Sequence, residues 1–215
     1  MKIYLYILFF FAFAVVSCAQ TTKQEDVSQK QEKVDPYPDL DDFSRQLCKA
    51  ALELTKDKVT YDPAYVKIPY PNGDVPADRG VCTDVVIRAY RKLGIDLQKE
   101  VHEDMVANFS LYPNQKRWGL KTTDTNIDHR RVPNLQVFFT RKGTVKPITD
   151  NPDDYQPGDL VTWDLPGNLT HIGIVVNIKS EDGLRPGIVH NIGSGQVLQD
   201  CLFAFPITGH YAFRR

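Results

Sequence analysis

Residues 157 to 178 read PGDLVTWDLPGNLTHIGIVVNI. Two runs rich in Val, Ile, Leu and Trp, 157–165 and 171–178, flank a Pro-Gly-Asn turn, which predicts an antiparallel pair of strands. Further along, GIVHNI (187–192) follows SEDGLRPG, and a β-favouring stretch from Leu202 to Phe213 follows GSGQ. Both predict additional strands of one sheet joined by tight turns.

Upstream the period changes from two to that of a helix. Leu40, Phe43, Leu47, Ala51 and Leu54 recur at three and four, with Asp39, Asp41 and Asp42 near the end where the helix dipole favours negative charge. Val85, Val86, Ala89, Tyr90 and Leu93 mark a second helix that stops at Gly94. A third amphipathic stretch carries Leu97, Val101, Met105 and Phe109, and a fourth runs from Pro133 to Lys142 and ends at Gly143. The Pro- and Gly-rich segment 60–81, TYDPAYVKIPYPNGDVPADRGV, predicts a loop curling over the start of the second helix. DTNIDHRRV (124–132) is polar and charged, as an exposed or site-lining loop would be. Helices first and strands second describe a single α+β domain over residues 39–215, with no internal repeat.

The 215 residues hold 26 basic and 27 acidic side chains, a formal charge of −1 with neither sign in a long block, which argues against nucleic-acid binding through a basic stripe. Apolar residues at 42% and aromatics at 11% exclude the disordered and collagen-like classes. The first seventeen residues, MKIYLYILFFFAFAVVS, pair one Lys with an apolar run shorter than the ~20 residues of a spanning helix, so 1–17 is read as a signal peptide. Val15-Val16-Ser17-Cys18 is similar to the lipobox of bacterial lipoproteins, which would make Cys18 the acylated first residue of the mature chain. Residues 18–38 are then a polar tether, since their composition cannot form a core. The expected location is the bacterial cell envelope, on the periplasmic face or the cell surface.

Of the remaining cysteines, Cys48 borders an apolar helical stripe and is read, with Cys201, as a packing residue, their pairing left open. Cys82 stands apart because it opens a helix. There the dipole and the unpaired N–H groups are expected to lower the thiol pKa, and the same N–H groups could receive an oxyanion. A cysteine nucleophile needs a base and a group that orients the base. His171 starts the strand HIGIVVNI and His190 lies on the next run, so a hairpin between them would let the imidazoles approach. No paired spacing such as HExxH points to a metal.

A cysteine at a helix start, then PGDLV, HIGIV and IVHN followed by glycines, resembles the NlpC-type cell-wall cysteine peptidases, whose fold is papain-like. More closely, YDPAYV, GDVPADRGVCTDVV, VHEDM, NIDHRRVPNL, DLVTWDLPG, HIGIV, VHNIG and TGHY resemble the bacterial domain-of-unknown-function family 1287. The resemblance implies Cys82 as nucleophile, His171 as base and His190 as the residue orienting it. It further implies Tyr70 in the oxyanion site. The chain departs from the NlpC-type pattern at two places: Asp84 stands where small residues follow the nucleophile, which puts a carboxylate at the border of the pocket, and an insert carries Arg130 and Arg131, a guanidinium pair suited to a carboxylate of a peptidoglycan stem. The implied activity is hydrolysis of an amide bond in peptidoglycan peptides by a monomer without cofactor. An acyltransferase and a non-catalytic wall-binding lipoprotein on the same scaffold are the alternatives.

Overall fold

The computed structural model describes residues 37–214. The signal peptide, Cys18 and nearly all of the tether read from the sequence lie outside these residues. The first helix, α1 (Asp42–Leu54), starts where the Asp41 carboxylate accepts the Ser44 N–H at 2.9 Å, and it buries Leu47, Cys48, Ala51 and Leu54. Two two-residue strands, β1 (Thr60–Tyr61) and β2 (Arg79–Gly80), pair in parallel and tie together the ends of the Pro-rich loop. Directly after β2 comes α2 (Cys82–Lys92), closed by Gly94 at φ +80°, a conformation that favours glycine. Next, α3 (Leu97–Asn108) is capped by Asp96, whose side chain accepts from the Lys99 N–H at 3.2 Å. The short α4 (Asn114–Trp118) and then α5 (Val132–Lys142) complete the helical half.

The second half is a six-stranded sheet of β3 (Thr144–Val145), β4 (Leu160–Leu165), β5 (Leu169–Lys179), β6 (Pro186–His190), β7 (Val197–Gln199) and β8 (Ile207–Ala212). Its order is β3-β8-β4-β5-β6-β7, and every neighbouring pair is antiparallel. The α+β reading therefore describes the molecule. β3 and β7 go beyond it, because two- and three-residue strands carry too little alternation to be recognised.

β5 is buried on both faces, which explains its unbroken apolar run. Ile172, Ile174 and Val176 pack with residues of α1, α2, α3 and α5 into the main core. Val175, with Val161, Trp163 and Ile188 of the flanking strands, joins Tyr155 and Leu202 in a smaller core. Since successive side chains on a strand point to opposite faces, His171 and Gly173 share the face of Val175, opposite to Ile172, Ile174 and Val176. At the far end of the sheet the buried Asp159 carboxylate accepts from Lys146 Nζ at 2.7 Å, His210 Nε2 at 2.9 Å, the Gln156 N–H at 2.9 Å and Arg214 Nη2 at 3.3 Å. This fastens the PGD turn to β8 and to the chain's last described residues, and it leaves Asp159 fully occupied.

Candidate active site

Cys82 is the first residue of α2, and its side chain is turned into the core, 5% exposed. Burial pushes its thiol up to about 12, with the Asp84 carboxylate adding to the rise, against the N–H groups of Ile172, Thr83 and Cys82 itself, which face the sulfur and favour the thiolate. The thiol pKa lowered by the helix terminus, expected from the sequence, is thus reversed. Desolvation of a sulfur anion outweighs a few oriented amides. The Ile172 amide places the sulfur beside β5, next door to His171.

The imidazoles meet across the β5–β6 hairpin. His171 Nε2 lies 2.9 Å from His190 Nδ1, with the rings edge to face at 83°. On the other side of β5, His171 stands opposite Trp163 in register, with 5.8 Å between ring centroids. Burial drives the His171 pKa down to about 3, with His190 contributing, and burial lowers His190 as well. Both rings are neutral near pH 7. His171 has its hydrogen-bond partner in His190, and Cys82 is joined to the pair through the Ile172 amide, not by a hydrogen bond to the imidazole.

Asp84 and Arg130 meet each other. The carboxylate accepts from Arg130 Nε at 2.8 Å and Nη2 at 2.9 Å, while its Oδ2 also takes the Val81 N–H at 2.7 Å and so caps α2. The two side chains are 3% and 2% exposed. A guanidinium committed in this way does not present an open fork to a substrate carboxylate. Arg131, its neighbour, points elsewhere: Nη1 donates to Asp128 at 3.0 Å, and the guanidinium lies over the Trp118 ring at 4.4 Å.

Tyr70 packs edge-on against His102 of α3 at 5.0 Å, and its phenol is raised by burial and then by Glu103 and Asp96, so its surroundings are those of α3. The tyrosine that responds to Cys82 is Tyr61. Burial, then Cys82 and Asp84, raise the Tyr61 phenol, and Arg130 opposes them. In the sequence it stands in YDPAYV at the start of the Pro-rich segment, with nothing to mark it as a site residue; the pairing of β1 with β2 carries it to the site.

Two further residues escaped sequence reading. Asn191, fully buried, donates from Nδ2 to the Gly80 carbonyl at 3.2 Å and accepts the Gly193 N–H at 3.1 Å, linking the end of the His190 strand to the turn before Cys82. Gln199 Oε1 lies 3.0 Å from His190 Nε2. Arg88 secures the same turn by donating to the Arg79 carbonyl at 2.9 Å and pairing with Asp74 at 3.1 Å. Cys48 and Cys201 are both free and buried: Cys48 Sγ is 3.6 Å from the Val175 carbonyl, and Cys201 Sγ is 3.6 Å from His190 Nε2. Among the described residues no group of three His, Cys, Asp or Glu side chains is arranged to hold a metal ion.

The profile of the family described as Domain of unknown function (DUF1287) matches residues 48–213. The uncharacterized protein YijF of Escherichia coli (strain K12) is 54% identical over 153 residues, which is 71% of this chain and 73% of that one. Among solved structures, an N-acetylmuramoyl-L-alanine amidase from Bacteroides uniformis ATCC 8492 aligns with 80% of this chain and 99% of its own, at 11% identity and a TM-score of 0.45. A likeness at that level assigns neither the fold nor the activity.

Proposed function

The chain belongs to the domain-of-unknown-function family 1287, and from the site it carries we propose a papain-like cysteine hydrolase that cuts an amide bond in the peptide part of peptidoglycan. The observation that carries this reading is the arrangement around Ile172: its amide faces the Cys82 sulfur, and the preceding residue, His171, is held by His190 at 2.9 Å. With Nε2 of His171 given to His190, Nδ1 is the nitrogen left to act as base.

In the proposed reaction Cys82 Sγ attacks the carbonyl carbon while its proton passes to His171 Nδ1. The N–H groups at the start of α2 stabilise the oxyanion. Collapse breaks the C–N bond, the amine leaves with the proton from His171, and water hydrolyses the thioester. Burial raises the Cys82 thiol and lowers the His171 imidazole, which favours the neutral form of each, so in the proposed reaction proton transfer accompanies the attack instead of preceding it. An amine or alcohol in place of water would turn the same thioester toward acyl transfer. The chain is proposed to act as a monomer held at the bacterial envelope by a lipid on Cys18, with residues 19–38 as its reach.

Incubating the full chain with purified sacculi tests the reading. Cys82→Ala and His171→Ala should each slow fragment release by about 100-fold or more, the scale of a lost base or nucleophile. Undiminished release by Cys82→Ala overturns it. The burial of Cys82 favours a second reading, a non-catalytic wall-binding protein on the same scaffold, which predicts co-sedimentation with sacculi and no release at all.

A further inference from the structure

We propose that Gln199, at the edge of the sheet, is a positioning residue that fixes the tautomer of the His171–His190 pair by accepting a hydrogen bond from His190 Nε2. The inference rests on the reading of His171 as the base.

For His171 Nδ1 to take a proton it must carry a lone pair, so in the neutral ring the hydrogen is on Nε2. That Nε2–H, 2.9 Å from His190 Nδ1, must donate to it. His190 Nδ1 is then an acceptor, and the hydrogen of its neutral ring lies on Nε2. A buried N–H needs an acceptor, and Gln199 Oε1 at 3.0 Å supplies one. The order is therefore set at its outer end, by a residue that does not touch the base.

A competitor stands at the same nitrogen. Cys201 Sγ is 3.6 Å from His190 Nε2, and burial keeps its thiol protonated, so it offers a hydrogen where Gln199 offers a lone pair. If Cys201 were the partner, His190 Nε2 would accept and Nδ1 would carry the hydrogen. His171 Nε2 would then accept, Nδ1 would be protonated, and the base would be lost. Two neighbours impose opposite tautomers, and the closer one selects the working order.

The placement has a simple origin. Gln199 faces Ile188 in the β6–β7 register, two residues from His190 along the strand, so its side chain is on the same face and reaches His190 diagonally. As part of a three-residue edge strand, Gln199 is itself exposed while His190 is 1% exposed.

The test uses four forms of the full chain, with histidine tautomers read from 15N chemical shifts and fragment release from sacculi followed across pH. Wild type should show both rings protonated on Nε2 only. In Gln199→Met, which has no strong acceptor, His171 should move to the Nδ1–H form and release should fall by about 100-fold. In Gln199→Glu, which can only accept, the wild-type tautomers and near-wild-type release should persist, with the acid limb of the pH profile moved upward because the carboxylate favours a protonated His190. Adding Cys201→Ala to Gln199→Met should restore part of the Nε2–H population. A wild-type His171 protonated on Nδ1, or unchanged tautomers in a folded Gln199→Met chain, overturns the proposal. Absence of fragment release from every form would sink the hydrolase reading, while the 15N shifts would still decide the role of Gln199.

Discussion

Replacing Asp84 by Asn probes the pair that supports the start of α2. The carboxylate accepts three hydrogen bonds, two from the Arg130 fork at 2.8 and 2.9 Å and one from the Val81 N–H at 2.7 Å, with both charged side chains almost fully buried. Asparagine keeps the shape, but it turns an NH2 group toward a guanidinium or an N–H and leaves Arg130 as an unbalanced buried cation. Breaking such a pair costs about 3–5 kcal/mol. At about 2–4 °C per kcal/mol for a domain of this size, Tm should drop by roughly 6–20 °C. Urea unfolding and a thermal scan measure both quantities. The exposed Lys99–Glu103 pair, 3.8 Å apart, provides the contrast: Lys99→Ala should cost no more than about 0.5 kcal/mol. The double variant Asp84→Leu, Arg130→Met should recover much of the loss, because it removes both charges together. Native Asp84→Asn should also alkylate faster at Cys82, since a charge that raises the thiol pKa is gone. A loss under about 1 kcal/mol for Asp84→Asn would refute the claim that this ion pair is a structural clamp on the helix start.

Acid should destabilise the fold through its buried histidines. His171 and His129 are both pushed down to about 3 by burial, so the unfolded chain binds protons as pH falls through about 6.5 and the folded one does not until about 3. Stability is therefore lost progressively below pH 6.5, by about 2 kcal/mol for each histidine between pH 7 and 5, and a flat urea midpoint over that range would contradict it. Gly173 sits under the histidine pair, where a Cβ would come 2.6 Å from Ile188 Cγ2 and 3.2 Å from His190 Cβ. Gly173→Ala should cost about 1–3 kcal/mol and displace His190, lowering fragment release more than stability alone explains; an unperturbed Tm with full activity would show the contact to be harmless.

Much of this architecture is written locally in the chain. The strands 157–165 and 171–178, the turn between them and the helix stop at Gly94 follow from side-chain alternation and turn residues, and the β5–β6 hairpin by itself predicts that His171 and His190 meet. What escaped depends on contacts distant in sequence or on burial. Asp84 and Arg130 are 46 positions apart, so the sequence places each at the pocket as a group free to meet substrate and does not show that they bind each other. Tyr61 lies near Cys82 only because β1 pairs with β2, whereas Tyr70, closer in sequence, packs on α3. Gln199 sits in a strand of three residues, too short to announce its register. The Cys82 thiol is raised where the helix start predicts a lowered one, because a helix start is visible in a sequence and the depth at which it is buried is not.

The most direct test of Cys82 as nucleophile is to incubate the full chain with peptidoglycan, quench in acid and measure the mass of the peptide bearing residue 82. A thioester to a stem-peptide acyl group should appear on Cys82, vanish on treatment with hydroxylamine and be absent from Cys82→Ser. Fragment release with no adduct on Cys82, and undiminished by its substitution, would contradict the account.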